Sequence, residues 1–190
     1  MTRDRGVGAY GLNSTRRHPP RRPRDLITLR CTKKLLGRLG ASRAAKPGAP
    51  ERLPTARLGD WHANVLYRPN AELVMFVNDR SLLPVVVPAR PGELIVVRFV
   101  EARGEMLRRL GVPAEVIEGE TAQMAVVQIG PTRSRQILGS MNDFDRMLDY
   151  RLASGRAFID AALELAKAPC GPIAMRRPKD VAVELLASGE

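Results

Sequence analysis

Runs of hydrophobic residues separated by polar turns dominate the chain between residues 59 and 87. Three runs rich in Val, Leu and aromatic residues are divided at residues 68–70 (Arg-Pro-Asn) and 79–81 (Asp-Arg-Ser). Branched and aromatic residues favour strands, whereas Pro, Asn, Asp and Ser favour the turns between them. The pattern predicts a three-stranded antiparallel meander around which the rest of the chain is organised.

Alternate residues of the first run fall into two sets, because successive side chains of a strand point to opposite faces. The mainly apolar set is Trp61, Ala63, Val65 and Tyr67. The mainly polar set is Asp60, His62, Asn64 and Leu66. We expect the first set to face the core, with the only Trp of the chain at its centre.

The remaining periodicity predicts two more strands and several helices. Strands are expected over residues 26–30 and 122–129, and both are expected to join the meander. Apolar residues at helical spacing predict helices over residues 33–39 and 93–110, from Ser140 to Gly155, and from Phe158 to before Pro169. The sequence therefore predicts one α+β domain over residues 25–190, an antiparallel sheet with helices packed against it.

Two segments have neither the strand period of two residues nor the helical period of about 3.6 residues. Residues 41–58, rich in Ala, Pro, Gly and Arg, are expected to form a long loop. Residues 1–24 contain almost nothing to bury, so we expect a disordered basic tail, or a segment preceding the true start codon.

The net charge of +11 is concentrated in that tail. Its seven Arg and one Asp give +6, which leaves +5 for the other 166 residues. An arginine-rich tail predicts contact with nucleic acid or another anion. The Arg-rich composition of a GC-rich genome is the alternative explanation.

Composition and motifs exclude several classes of function. No apolar run is long enough for a membrane span or a signal peptide, so we expect a cytoplasmic protein. Gly37, Gly40, Gly104 and Gly111 lack the GxxxxGK or GxGxxG order of a glycine-rich phosphate loop, and no motif points to a cofactor.

The polar residues of the first meander strand are the candidates for catalysis. Asp60, His62 and Asn64 would lie in a row on one face, and a carboxylate beside an imidazole is the minimum for an oriented general base. The alternative is an ordinary polar strand face. We expect no metal site, because no second His lies in the predicted folded part and no nearby Cys or Glu completes a set of three ligands.

A second polar cluster predicts an anion site. Arg133 and Arg135 precede Ser140, which with Asp143 forms a capping box and would open a helix. Arginines near the amide groups of a helix N-terminus favour anion binding. The alternative is solvated arginines and a routine cap. If both clusters serve one site, they should converge on one side of the sheet.

Five motifs carry a resemblance to a known family. They are LRCTKKLL at 29–36, DWHAN at 60–64, FVND at 76–79, TRSR at 132–135 and LGSMND at 138–143. Together they resemble a bacterial domain family of unknown function, found alone or at the N-terminus of plasmid ORF-3-like proteins. The resemblance implies an association with mobile elements and assigns no activity or catalytic residue.

Two functional hypotheses remain. The first is a binding or accessory module, associated with nucleic acid through its basic tail and with an unknown protein partner. The second is a small hydrolase or phosphoryl-group enzyme that uses Asp60, His62 and Arg135. A cleft that gathers these three residues would favour the enzyme, whereas a flat basic face above a buried Trp61 would favour the binding module.

Overall fold

The computed structural model describes residues 26–40, 54–90, 94–153 and 155–188. The predicted tail and most of the predicted loop at residues 41–58 lie outside these ranges. The strands are β1 (Leu26–Cys31), β2 (Trp61–Arg68), β3 (Ala71–Asn78), β4 (Pro84–Pro88) and β5 (Val126–Pro131). The helices are α1 (Lys33–Leu39), α2 (Ile95–Arg109), α3 (Ala114–Ala122), α4 (Arg135–Leu152), α5 (Phe158–Leu165) and α6 (Pro178–Ala187).

The described strands form one five-stranded sheet in the order β4-β3-β2-β1-β5. The meander β2-β3-β4 is antiparallel, as predicted. The prediction of a purely antiparallel sheet is wrong, because β1 pairs in parallel with both β2 and β5. The architecture is therefore a mixed sheet with helices.

The chain connectivity explains the parallel pairs. Neighbouring strands can run antiparallel through a short hairpin, whereas parallel strands need a crossover of a dozen or more residues. Residues 32–60 separate β1 from β2 and include α1, and six of the described elements, from α1 to α3, separate β1 from β5. Strand periodicity is the same in either direction, so the sequence pattern alone did not reveal this orientation.

One face of the sheet carries the aromatic core. Trp61 is 1% exposed and meets Phe99 of α2 edge-to-face, with ring centroids 5.0 Å apart. Phe76 of β3 stacks on the other side of Phe99 at 4.3 Å. The predicted inward alternation holds for Trp61, Ala63 and Val65, but Tyr67, near the end of β2, is 56% exposed.

The start of α4 differs from the prediction. Ser140 does not open the helix: its Oγ donates to the carbonyl of Gln136 at 3.3 Å, one turn earlier in the same helix. The N-cap is Ser134, whose Oγ accepts a hydrogen bond from the amide of Ile137 at 3.2 Å. A serine can sit inside a helix by bonding to the preceding turn, so the local capping pattern at Ser140 was misleading.

The start of β5 also differs from the prediction. Helix α3 continues through Gly119 to Ala122, and β5 begins at Val126 rather than at residue 122. Beyond Pro169, where the sequence pattern was indecisive, a 3₁₀ turn over Gly171–Ile173 precedes α6. Across the described ranges, every helix is too short or too polar to span a lipid bilayer.

Candidate anion-binding site

Asp60 anchors the start of β2 to β1. Its Oδ1 accepts a hydrogen bond from the amide of Thr28 at 2.8 Å, and its Oδ2 pairs with the guanidinium of Arg30 at 2.9 Å. The carboxylate is 5% exposed, so this pair replaces the water that the charges lose on burial. Asp60 therefore has a structural role, and it orients Arg30 on the same face of the sheet.

His62 lies between two side chains that are distant in sequence. Its Nε2 is 3.1 Å from Oδ1 of Asp79, and its Nδ1 is 2.9 Å from Oγ1 of Thr132. The imidazole is 1% exposed. Because an ionised carboxylate only accepts hydrogen bonds, Nε2 carries a proton. In the tautomer with its single proton on Nε2, Nδ1 accepts a hydrogen bond from the hydroxyl of Thr132.

Of the three hydrogen-bonded side chains of Asp79, His62 and Thr132, that of Asp79 is exposed, with 43% of it accessible. Its hydrogen bond to His62 is the main factor that lowers the pKa of Asp79, opposed by partial burial and assisted by the charges of His62, Arg30 and Arg80. The carboxylate is therefore ionised at neutral pH, which fixes the protonated Nε2 of His62.

A rigid turn presents Asp79. The Oδ1 of Asn78 accepts hydrogen bonds from the amides of Arg80 and Ser81 and from Oγ of Ser81. Its Nδ2 donates to the carbonyls of Leu58 and Asp60. Leu82, in the same turn, adopts the left-handed region with φ of 59°. A bulky residue in that region is strained, and such strain persists only where the surrounding structure fixes it.

Asn64 has a different partner. Its Oδ1 accepts a hydrogen bond from Oγ1 of Thr32 at 2.7 Å, and the same Thr32 oxygen caps α1 by accepting from the amide of Leu35. Asp60, His62 and Asn64 therefore share one face but bond to separate neighbours. The predicted row does not act as a connected Asp-His pair, because the carboxylate that reaches His62 belongs to Asp79.

The ends of β1 and β5 lead into two basic segments. Cys31 pairs with Pro131, and the amide of Thr132 donates to the carbonyl of Cys31 at 3.0 Å. Residues 30–34 and 132–135 therefore lie at the ends of neighbouring strands, and neither segment contains an acidic residue. Their five basic residues, which we call the basic edge, are Arg30, Lys33, Lys34, Arg133 and Arg135.

The basic edge coincides with the start of a long helix. Arg135 is the first residue of α4, Arg133 lies just before its N-cap, and both are exposed. The amide groups of a first helical turn favour negative charge, and so do the guanidinium groups beside them. Ser140 lies inside α4 and is only 7% exposed, so it does not belong to the basic edge at the start of that helix.

A buried ion pair holds the segment that leads into β2. Glu120 accepts hydrogen bonds from the amides of Arg57 at 2.6 Å and Leu58 at 3.5 Å, and its carboxylate lies 3.7 Å from Arg103. Burial lowers the pKa of Arg103 to about 10, and the charge of Glu120 opposes this shift. Arg103 still carries its charge at neutral pH, and the pair fixes residues 57 and 58 just before Asp60.

A family model described as Domain of unknown function (DUF6933) matches residues 28–181. The chain belongs to the DUF6933 family. The matched range includes both segments of the basic edge together with His62 and Asp79. Neither the curated proteins nor the solved structures contain a significant match to the chain.

Membership of DUF6933 agrees with the predicted resemblance to a family of unknown function. The bacterial origin and the plasmid context implied by that resemblance remain predictions. Among the described residues of this DUF6933 domain, no three His, Cys, Asp or Glu side chains form a group that could hold a metal ion.

Sequence reasoning missed two partners of His62 in this DUF6933 domain. The sequence pattern places Asp79 in a turn, and Thr132 enters only through the motif TRSR at 132–135. Both lie far from His62 along the chain, 17 and 70 residues away, so local periodicity carries no signal of the contacts. The available clue was the position of each residue at the end of a predicted strand.

Proposed function

We propose that this DUF6933 domain is a nucleic-acid-binding module that holds backbone phosphates at the basic edge. The observation that supports the proposal is the position of residues 30–34 and 132–135 at the ends of the neighbouring strands β1 and β5, with five basic residues and no acidic one. Lys and Arg bind phosphate through charge-assisted hydrogen bonds, and their binding to nucleic acid releases condensed counterions.

The exposure of the basic edge favours an extended polyanion. Lys33, Lys34, Arg133 and Arg135 are all exposed, and they lie at or beside the starts of α1 and α4. Successive phosphates of a nucleic-acid strand can contact side chains spread along an open edge in this way. Association with nucleic acid also suits the plasmid context that the family resemblance implies.

The carboxylates near the basic edge are already engaged. Asp60 is paired with Arg30, and Asp79 accepts a hydrogen bond from His62. Asp60 therefore orients Arg30, and Asp79 orients His62. The arginine-rich segment at residues 1–24 would supply a second, less localised contact with the same polyanion.

The experiment is a titration of fluorescent duplex DNA at several salt concentrations. The variant is Arg133→Ala with Arg135→Ala. The matched control is Arg146→Ala, which removes an exposed arginine of the same helix, roughly 16 Å further along it. Because each phosphate contact contributes about 0.9 to the slope of log affinity against log salt, the double variant should lose about 2 from that slope.

The control should keep both the affinity and the slope of the wild type. A double variant that binds with unchanged affinity and unchanged slope would contradict the proposal. If that binding then disappeared on deletion of residues 1–24, the polyanion contact would belong to the tail alone.

A further inference from the structure

We propose that Thr132 is a nucleophile that His62 activates, and that it accepts a phosphoryl group from an activated phosphate ester or anhydride held at the basic edge. The inference rests on the proposed function in so far as the basic edge must bind phosphate. It goes further, because it assigns a reaction to residues that binding alone would not require.

The geometry is that of a carboxylate–imidazole–hydroxyl relay. The hydroxyl of Thr132 lies 2.9 Å from Nδ1 of His62, and the opposite nitrogen lies 3.1 Å from the Asp79 carboxylate. In such a relay the base takes the hydroxyl proton, and the carboxylate fixes the tautomer and stabilises the imidazolium. Unrelated folds use this constellation, so it is recognised by its geometry rather than by sequence order.

Each member of the relay is held in place. His62 is 1% exposed and hydrogen-bonded at both nitrogens, so the ring cannot turn away. Asp79 is fixed by the strained turn around Asn78 and Leu82. Thr132 is tied to β1 through its amide and lies half-buried at the basic edge. Preorganisation of this kind is what a catalytic group needs and what a surface hydrogen bond does not.

The burial of His62 selects phosphoryl transfer over acyl transfer. In acyl transfer the same imidazole must also reach the leaving group to protonate it. In phosphoryl transfer the attacking and leaving oxygens lie roughly in line on opposite sides of phosphorus. A buried base behind the nucleophile is then sufficient, provided that the leaving group departs as a stable anion.

The step balances without an oxidant or a reductant. The O–H bond of Thr132 breaks, its proton moves to Nδ1 of His62, and a bond forms between Oγ1 and phosphorus. The bond from phosphorus to the leaving oxygen breaks, and that oxygen keeps the electron pair. The Asp79 carboxylate stabilises the imidazolium, and Nε2 then passes its proton to solvent through that carboxylate, which is 43% exposed. The basic edge and the first amides of α4 would neutralise the charge on the phosphoryl oxygens.

The probe is bis(4-nitrophenyl) phosphate, whose nitrophenolate leaves without protonation. The expected result with the full chain is one equivalent of nitrophenolate and a mass increase of one nitrophenyl phosphoryl group, located at Thr132 by peptide mapping. Thr132→Ala should abolish the modification and Thr132→Ser should retain it. The matched control Thr55→Ala, at an exposed threonine in another loop, should label as the wild type does.

Two further variants test the other members of the relay. His62→Gln should slow labelling by about 100-fold or more, the usual contribution of a general base. Asp79→Asn should also slow it, and Asp79→Glu should restore part of the rate, which a purely structural role would not explain. The melting temperature of each variant is measured in parallel.

Wild-type protein that is never modified at Thr132, or Thr132→Ala protein modified at the wild-type rate, would overturn the inference. The outcome is independent of the DNA titration. A basic edge that binds phosphate without labelling at Thr132 would leave the proposed function standing and remove only this reaction. Wild-type protein that is labelled at Thr132 but does not bind DNA would leave this reaction standing and remove the nucleic-acid proposal.

Discussion

The two faces of β2 are equally buried but are stabilised by different interactions. Trp61 and His62 are neighbours in the chain and each is 1% exposed. Trp61 is held by aromatic packing against Phe99, whereas His62 is held by hydrogen bonds to Asp79 and Thr132. In a packed core one apolar side chain can replace another of similar volume at small cost. A buried polar group, in contrast, is stable only with its specific hydrogen-bond partners.

The difference shows where function can reside. The aromatic face stabilises the fold through the packing of Trp61, Phe76 and Phe99. The face with His62 carries a satisfied polar network whose outer members, Asp79 and Thr132, reach solvent beside the basic edge. A network of this kind costs more to build than an apolar core, and the strain at Leu82 adds to that cost. Such features are typical of a functional site.

Of the substitutions that test this comparison, one on the aromatic face should have the largest effect on stability. Trp61→Ala should lower the free energy of unfolding by about 3–5 kcal/mol, because it empties a large aromatic site. Tyr67→Ala, on the same strand but 56% exposed, is the matched control and should cost less than about 0.5 kcal/mol. Denaturant melts measure both. A loss below about 1 kcal/mol for Trp61→Ala would contradict the packing described for this face.

On the polar face the expected effect is a change in titration. The hydrogen bond from His62 lowers the pKa of Asp79, so His62→Gln should raise it toward the ordinary aspartate value of about 3.9. Carboxyl NMR signals measured between pH 2 and pH 6 test this. Arg80→Ala is the control: it should raise the pKa less, because the charge of Arg80 is the smallest contribution to the shift.

The sign of the accompanying stability change follows from linkage. A lowered pKa in the folded state contributes stability above the unfolded value, and this contribution is lost as the pH falls through the folded value. The difference in stability between wild type and His62→Gln should therefore shrink below about pH 4. An Asp79 midpoint that is identical in both proteins would show that the bond to His62 does not matter for the carboxylate.

The sequence predicted the elements whose evidence is local. The meander, the alternation at Trp61 and the amphipathic α2 follow from side-chain periods over five to fifteen residues. The start of α4 was misplaced because Ser140 with Asp143 resembles a capping box, whereas Ser134, the N-cap of the structure, has Ile137 in place of the acidic residue.

The candidate site was only partly predictable for a related reason. Asp60, His62, Arg133 and Arg135 stand out as polar residues beyond what their elements need. Their partners could not be assigned, because the contact of His62 with Thr132 depends on β1 lying between β2 and β5. The parallel direction of those pairs has no signature in a single strand.

The central claim is that the basic edge and the His62 network form one phosphate-responsive site. The most direct measurement is an NMR titration of the protein with inorganic phosphate and with a short oligonucleotide. It follows the His62 ring protons and the amides of Thr132, Arg133 and Arg135. In wild type and in the control Arg146→Ala, both sets of signals should shift together. In Arg135→Ala both shifts should be much reduced. Ring and amide signals that ignore every phosphate probe, or shifts confined to another part of the domain, would contradict the account.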